Sequence, residues 1–356
     1  MNRKSIAHHT LAPLPLLALA LTLAVGCNVH EFPDVEEEEV VEEVGPVSFR
    51  LMLDFTTDLP LYQEVQYTSR AASSYQVRHV VNVYTPESDG TYGRTYDAQY
   101  VFTSADTDNL DTTLSIDLDE GDYKFMVWTD YVPTGTTADW YYDTGDFAEV
   151  ALTDEYEGSS DYRDAFRGSV EAEVTAEADS ATVSMSRPLA KFTFISEDLD
   201  EFITRALERI QAQLEAEGES SGQAIDEIDA RSIDFDAYTV VFAYTSYMPC
   251  SYNLFTDRPA DSATGMTFYG SISQTSDTEA ELGFDYVFVN SNATSVQVAL
   301  YVYDTDGTLI AHSDVITVPL LRSCLTTVRG DFLTSEAAGG VGISPDFDGQ
   351  YNIEID

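Results

Sequence analysis

Apolar and polar residues alternate over much of the chain, which is the pattern of strands that bury one face. The first run begins at Val47 and places Phe49, Leu51 and Leu53 on one face. Tyr, Phe, Val and Thr, which favour strands, are frequent. The pattern predicts an all-β protein. The other runs lie at 75–83, 114–118, 123–128, 170–174, 181–185, 238–244, 282–288 and 296–302.

Two short polar segments in the first half predict hairpins. Asp119–Asp122 separates the runs 114–118 and 123–128, and Glu177–Asp179 separates the next two runs. Turn-forming residues between alternating runs are typical of antiparallel neighbours joined by a tight connection.

Asp304–Gly307 predicts a further hairpin, between the run ending at Val302 and residues 308–318. This segment and Asp346–Gly349 resemble calcium loops in their acidic composition. Neither has the alternate carboxylates and the terminal glutamate of an EF-hand. We therefore interpret both as turns.

A proline and a change of period divide the chain into two predicted domains. Pro188 is tolerated at the start of a strand, so a strand should begin near Leu189 and contribute Phe192 and Phe194 to a second core. The boundaries are 47–187 for an N-terminal β-sandwich and 188–356 for a C-terminal β-sandwich. Helical spacing predicts an amphipathic helix near 198–215 in the second domain. The residues with this spacing are Leu199, Phe202, Ile203, Ala206, Leu207, Ile210 and Leu214.

The N-terminus has the organisation of a secretory signal. Arg3 and Lys4 precede an uncharged apolar run that ends at Gly26 and Cys27. The run is too short for a membrane span, which needs about 20 residues. Ala24-Val25-Gly26-Cys27 resembles the lipobox of bacterial lipoproteins. We predict a signal peptide at 1–26 and acyl chains on Cys27, which becomes the first residue of the mature protein.

Residues 27–46 predict an acidic, flexible tether. Eight carboxylates lie between Glu31 and Glu43, and such a charge block repels itself and builds no core. In some Gram-negative lipoproteins, acidic residues soon after the cysteine resemble a signal for export to the cell surface. We expect a lipid-anchored protein of the outer membrane that faces outward. The alternative is that the acidic segment serves only as a spacer.

The charge balance excludes one class of partner. The chain has 17 Lys and Arg against 63 Asp and Glu, a formal net charge of −46. Nucleic-acid binding needs basic patches, so we expect no nucleic-acid partner. The membrane contact is expected through the N-terminal lipid.

Signals for catalysis are weak. The mature chain has only three histidines, His30, His79 and His312, and no motif for a metalloprotease, a serine hydrolase or a phosphate loop. We expect no enzyme activity, no metal and no cofactor. His79 lies within an apolar run, and we interpret it as a structural histidine.

The sequence offers two further candidate sites. Aromatic residues could stack on sugars, with Trp128, Trp140 and Tyr141 as the candidates, although burial or a domain contact is the more common role of such residues. Cys250 and Cys324 could form a disulfide in an oxidising compartment, and two free thiols are the alternative.

Several segments resemble the fimbrillin-like lipoproteins of Gram-negative anaerobes, which are related to anchor and accessory subunits of type V fimbriae. The resemblance implies two transthyretin-like, Greek-key β-sandwiches. It also implies that partners bind by β-strand addition, in which an extended segment of one subunit fills a gap in the next. The segments that carry it are CNVHEFP from Cys27, GDY from Gly121, WTDYV from Trp128, DAFRG from Asp164, RPLAKFTFI from Arg187, LTTVRG from Leu325 and GGVGI from Gly339.

Related stalk subunits are cut after an arginine near their first strands, and Arg70 is the candidate for such maturation here. An uncut, lipidated chain would instead end or anchor a filament, which suits this sequence better. The sequence therefore predicts a fimbria-like anchor or accessory subunit, or an adhesin, with fimbrial subunits or other surface proteins as partners. The alternative is a surface glycan-binding lipoprotein that uses the aromatic residues around Trp128–Tyr142.

Overall fold

The computed structural model describes residues 45–56, 74–107, 109–216, 233–335, 341–343 and 350–355. The residues from Gly45 onward form one compact unit. Within the described part, no helix is both long and apolar enough to cross a membrane. The predicted signal peptide, Cys27, most of the tether and Arg70 lie outside the described residues.

Nine strands lie in the first half, and seven of them form two facing sheets. Their bounds are β1 (Val47–Asp54), β2 (Tyr75–Tyr84), β3 (Ala98–Ser104), β4 (Thr112–Leu118), β5 (Gly121–Pro133), β6 (Tyr142–Asp143), β7 (Val150–Leu152), β8 (Phe166–Val174) and β9 (Ser180–Ser184). The three-stranded sheet has the order β4-β1-β9, and the four-stranded sheet has the order β3-β2-β5-β8. We call this pair of sheets the first sandwich.

The core of the first sandwich comes from the alternating positions that the sequence predicts. Phe49 and Leu51 of β1 and Val81 of β2 expose none of their surface. Phe49 stacks on Phe125 of the opposite sheet, with ring centroids 5.2 Å apart. Because every second side chain of a strand points to the same face, one alternating run is enough to cover one side of this core.

The two hairpins predicted in the first half are wrong. Strand β4 pairs with β1, whereas β5 pairs with β2 and β8. Strand β9 likewise pairs with β1 and not with β8, which precedes it. Each short polar turn therefore carries the chain across the sandwich to the facing sheet. Alternation indicates which face of a strand is buried, but it does not identify the partner strand.

Strands β8 and β9 approach closely at Gly168. A Cβ atom there would lie 2.6 Å from Cγ1 of Val183 and 2.7 Å from the carbonyl oxygen of Ser184. Real side chains do not tolerate such distances, so glycine allows the two sheets to close at this side. A bridge between Arg167 and Ser186 extends the contact.

The second half contains the remaining strands and the helix α1 (Leu199–Ala216). The strand bounds are β10 (Leu189–Ser196), β11 (Thr239–Tyr244), β12 (Met248–Pro249), β13 (Ser251–Asn253), β14 (Arg258–Pro259), β15 (Ser262–Ala263), β16 (Thr267–Gly270), β17 (Ser273–Gln274), β18 (Ala280–Phe288), β19 (Thr294–Tyr303), β20 (Leu309–His312), β21 (Ile316–Leu320), β22 (Leu325–Gly330), β23 (Val341–Ile343) and β24 (Gln350–Ile355).

Two sheets of the second half form the second sandwich. One has the order β17-β18-β10-β22-β24-β23, and the other has the order β16-β11-β19-β20, with β21 also paired to β19. As predicted, a strand begins at Leu189, and Phe192 and Phe194 are fully buried in the core. The predicted all-β class is confirmed, and the described residues of the second half contain one α-helix, α1.

The turn at Asp304–Gly307 joins β19 to β20, and this predicted hairpin is confirmed. The Asp304 carboxylate accepts hydrogen bonds from the backbone N–H groups of Asp306, at 3.0 Å, and Thr308, at 2.9 Å. The carboxylate is thus used to hold the turn. No cluster of three metal-binding side chains occurs in the part of the chain that the structure describes.

Helix α1 is the amphipathic helix that the spacing predicts, and it packs on the second sandwich. Leu199 and Phe202 belong to the core, and Ala206 and Leu207 pack against Ile233. The Asp198 side chain accepts hydrogen bonds from the N–H groups of Leu333 and Thr334, which ties the start of the helix to the loop after β22.

A third apolar cluster joins the two halves. It contains Val80 and Trp128 on the outer face of the four-stranded sheet and Tyr286 and Phe288 of β18. The short sheet β14-β13-β7-β6 also combines strands from both halves. The outer face of β2 and β5 is consequently buried as deeply as their inner face.

Candidate functional site: the first strand and its surroundings

Strand β1 is the first strand that the structure describes, and it is the central strand of its sheet. It pairs antiparallel with β4 from Val47 to Leu53 and parallel with β9 from Arg50 to Asp54. Strands β4 and β9 do not pair with each other. If β1 were absent, a slot one strand wide would remain between them.

The inner face of β1 is anchored by large side chains. Phe49, Leu51, Leu53 and Phe55 are between 0 and 3% exposed. Phe55 lies edge-on to Phe166, with ring centroids 5.0 Å apart. Burying one such side chain is worth roughly 1.5–3 kcal/mol, so the four together contribute on the order of 6–12 kcal/mol. This range is comparable to the whole stability of a typical domain, so β1 does not leave the slot spontaneously.

The outer face of β1 is open to solvent. Arg50 donates to both carboxylate oxygens of Asp179, at 2.9 and 3.0 Å, and this hydrogen-bonded pair lowers the pKa of Asp179. Both side chains are about half exposed, at 55% and 42%. Exposed ion pairs contribute little to stability. The buried inner face is therefore the main attachment of β1.

The candidate sugar-stacking residues are mostly buried. Trp128 is 0% exposed and Tyr141 is 1% exposed, and both lie in the cluster between the two halves. The Trp128 ring packs edge-on against Tyr142, with centroids 5.3 Å apart. Only Trp140 keeps partial exposure. A sugar ring has no access to Trp128 or Tyr141, so these residues form a contact between the halves and not a stacking platform.

No disulfide joins Cys250 to Cys324. Cys324 is buried and Cys250 is partly buried. Burial raises the pKa of the Cys250 thiol, with a further contribution from the Asp261 carboxylate. Cys250 is thus kept in its protonated, unreactive form.

The sequence reasoning missed a set of buried ion pairs between the two halves. Arg163, from the first half, binds Asp285 of β18, and the two side chains are 1% and 0% exposed. The hydroxyl groups of Tyr156 and Tyr244 donate to the same carboxylate, at 2.7 and 2.5 Å. The buried Asp285 carboxylate thus accepts hydrogen bonds from a guanidinium and two hydroxyl groups, which offset the cost of burying it.

A second ion pair of this set lies on β10. Lys191 Nζ is 2.7 Å from Asp161 Oδ1 and 3.9 Å from the centroid of the Phe284 ring. Arg167 also crosses between the halves to Asp257. These pairs and the aromatic cluster connect the first and second sandwiches.

Arg78 makes a third buried arrangement, on the outer face of β2. Its guanidinium donates to both oxygens of Asp130, at 2.9 and 2.6 Å, and to Asp139 at 2.7 Å. Burial alone would lower the pKa of Arg78, but the Asp130 and Asp139 carboxylates outweigh it and raise the pKa. Arg78 is a cation among the apolar residues of β2, and this feature of the sequence could have indicated its buried pairing with Asp130.

His79 is buried on the inner face of β2, as the structural interpretation predicts. It is 2% exposed, and Nδ1 lies 2.9 Å from the hydroxyl of Thr129. Burial lowers its pKa from 6.5 to about 4, so the ring is neutral near pH 7.

A cavity of about 360 Å³ lies between helix α1 and the Asp304–Gly307 turn. Arg209 and Asp304 line it together with Ile210 and Tyr238. The mixture of one cation, carboxylates and apolar side chains does not define a chemical class of ligand.

The comparisons with known proteins assign a family. A family of unknown function, DUF6562, matches residues 46–356, and the chain belongs to this family. None of the curated proteins matches the chain.

Several solved structures are similar over most of the chain. A protein from Bacteroides eggerthii, provisionally described as a cell adhesion protein, has a TM-score of 0.39 and 13% identity, with 88% of this chain and 96% of that chain covered. A provisionally described adhesin from Bacteroides ovatus has a TM-score of 0.38 and 11% identity, with 77% of both chains covered. The fimbrial anchor protein Mfa2 from Porphyromonas gingivalis has a TM-score of 0.35 and 12% identity, with 76% of this chain and 82% of that chain covered. Similarity this remote is too weak to assign a function.

Proposed function

We propose that the protein is a non-enzymatic, lipid-anchored subunit of the outer-membrane surface, which anchors or caps a fimbria-like assembly or acts as an adhesin. The observation that carries the proposal is the position of β1. This strand follows the acidic tether from Cys27, and it fills the central slot of its own sheet. Such a chain keeps its lipid anchor covalently connected to its folded part and offers no vacant slot at β1 to another subunit.

The energetic argument supports an uncut chain. Cleavage after Arg70 would leave β1 joined to the protein only by strand pairing and by the buried side chains of Phe49, Leu51, Leu53 and Phe55. A subunit that anchors a filament under load benefits from a continuous backbone between lipid and sandwich. Partners would then bind at other strand edges.

The lipid anchor is tested by fractionating cells that express the full chain. The wild type should stay in the outer membrane after a high-salt wash and carry a mass increase from acyl chains at its first residue. Cys27→Ser should be released and lack that mass. Cys250→Ser is the matched control and should behave as the wild type. Retention of the Cys27→Ser protein without added mass would contradict the anchor.

The state of Arg70 is tested on the same membrane preparations. We expect one chain that begins at Cys27, and Arg70→Ala should migrate identically. A mature fragment that begins at Ala71 would show that the slot can be opened, and the capping role would then be wrong.

Partner binding is tested with the protein from Asn28 onward, which retains every described residue. It is mixed with purified fimbrial subunits and, separately, with polysaccharides. We expect saturable capture of subunits. Saturable polysaccharide binding that Trp140→Ala abolishes, without capture of subunits, would favour the glycan-binding alternative.

A further inference from the structure

Strand β3 lies at the edge of the first sandwich and is covered less completely than any of its neighbours. Its residues Ala98, Tyr100 and Phe102 stand opposite Val83, Val81 and His79 of β2, and so they point toward the core. All three are only half-buried, whereas Val81 is 0% exposed. The facing sheet has three strands against four, and its β9 side is closed on β8. The mismatch leaves the inner face of β3 without a full cover.

The composition of β3 is unusual for the end of a sheet. Over seven residues it has no charge and no proline, and Val101 on its outer face is 40% exposed. Proteins protect exposed edges with charges, prolines or very short strands, because unpaired backbone groups attract other strands. In a chain with 63 carboxylates, an uncharged edge of this length stands out.

The other end strands of the described sheets all carry such protection. Strand β4 contains Asp117, β8 contains Glu171 and Glu173, and β21 contains Pro319. The remaining end strands have five residues or fewer. Among the described sheets, β3 is thus the longest end strand that has neither a charged residue nor a proline.

We propose that the edge of β3 that no described strand pairs with is a binding site for an extended segment of a different protein. The inference rests on the proposed function, since it names the edge at which strand addition takes place. An added strand would place alternate side chains beside Tyr100 and Phe102, where apolar residues complete the cover of the core. Its other side chains would lie beside Gln99, Val101 and Thr103, which suits Thr or small residues.

Charge selects the occupant. Asp97 and Asp106 flank the two ends of β3, so Lys or Arg at the ends of the incoming segment would be complementary. A second copy of this chain is disfavoured, because each copy has a formal net charge of −46 and the two would repel each other. The partner is therefore an amphipathic, neutral or basic strand from another protein.

The test uses the protein from Asn28 onward and a labelled synthetic peptide of alternating valine and threonine with two lysines at each end. A peptide of the same length with prolines in place of both the valines and the threonines is the control, since proline has no N–H group to donate to a ladder. We expect saturable binding of the first peptide only. Hydrogen exchange should slow in residues 98–104 when the peptide is bound.

Variants assign the binding to β3. Val101→Lys should weaken binding at least about tenfold, and Thr103→Lys should act in the same direction. Val315→Lys is the matched control, because Val315 is 49% exposed and lies outside the edge strand. Circular dichroism checks that each variant is folded. Binding that Val101→Lys leaves unchanged, protection at another edge, or no saturable binding would each overturn the inference.

Three further outcomes separate the related ideas. A dimer in sedimentation experiments that Val101→Lys abolishes would replace the proposed occupant by a second copy. If the peptide binds at β3 while Cys27 carries no lipid, the proposed function fails and the site at β3 stands. If the lipid is present and fimbrial subunits bind equally well to Val101→Lys, the site at β3 fails and the proposed function stands.

Discussion

Strands β1 and β10 occupy the same position in their two sandwiches. Each is the first strand of its sandwich, and each has one antiparallel and one parallel neighbour: β4 and β9 for β1, β18 and β22 for β10. Their burial differs. Every residue of β10 is buried, whereas β1 alternates between buried and exposed positions.

The difference comes from what covers the outer face. In β10 this face meets the contact with the first half, where Lys191 pairs with Asp161. In β1 it meets solvent, and its cation Arg50 pairs with the exposed Asp179. The same pairing pattern therefore produces a strand enclosed on both faces in one case and a strand held by one face in the other.

The largest expected effect is on the contact that covers the second sandwich. Arg163→Met leaves the Asp285 carboxylate buried without its cation, and a lost partner of this kind costs about 3–5 kcal/mol. Urea denaturation measures the change in the free energy of unfolding. Lys124→Met is the control, since its partner Glu171 is 59% exposed. A loss no larger than that of the control would show that the contact contributes little.

The next largest effect concerns His79, which is buried in the first sandwich, and it depends on pH. The pKa of His79 is about 4 when folded and 6.5 when exposed, so the unfolded chain takes up its proton first as the pH falls. The buried neutral ring makes its full contribution to the free energy of unfolding above pH 6.5. As the pH falls from 6.5 to 4 this contribution is lost, which lowers the free energy of unfolding by about 3 kcal/mol.

His79→Asn removes this titration, so its stability should fall less between pH 7 and pH 4 than that of the wild type. Denaturation at the two pH values measures the difference. Equal losses in both proteins would contradict the buried, neutral state of His79.

Matched substitutions on the outer faces sharpen the comparison of the two strands. Lys191→Met on β10 removes the cation from Asp161, which is 27% exposed and can be partly rehydrated. We expect a loss of about 1–3 kcal/mol in urea denaturation. An unchanged midpoint would mean that the cover over β10 does not depend on this pair.

Arg50→Met on β1 should have the smallest effect, because water and salt already screen the pair with Asp179. Its denaturation midpoint should be close to that of the wild type, and the small difference should shrink further in 1 M salt. A loss as large as that of Lys191→Met would remove the distinction between the two outer faces.

Much of the fold is readable from local patterns. The alternation from Val47 to Leu53 predicts both the strand and its buried face, and Pro188 predicts where β10 begins. Helical spacing from Leu199 to Leu214 predicts α1. The predicted lipid site at Cys27 and the cleavage candidate Arg70 also rest on local sequence, and both stay predictions.

The sequence by itself determined which segments form strands and which of their faces point inward, because these properties depend on the spacing of side chains within one segment. Only the tertiary structure decided that β4 and β5 lie in different sheets, since pairing depends on residues far apart in the chain. It also decided that Trp128 is enclosed, because part of its cover comes from Phe288 of β18, which lies more than a hundred residues further along the chain. The edge of β3 became visible for the same reason: an edge exists only once all the other strands have found their partners.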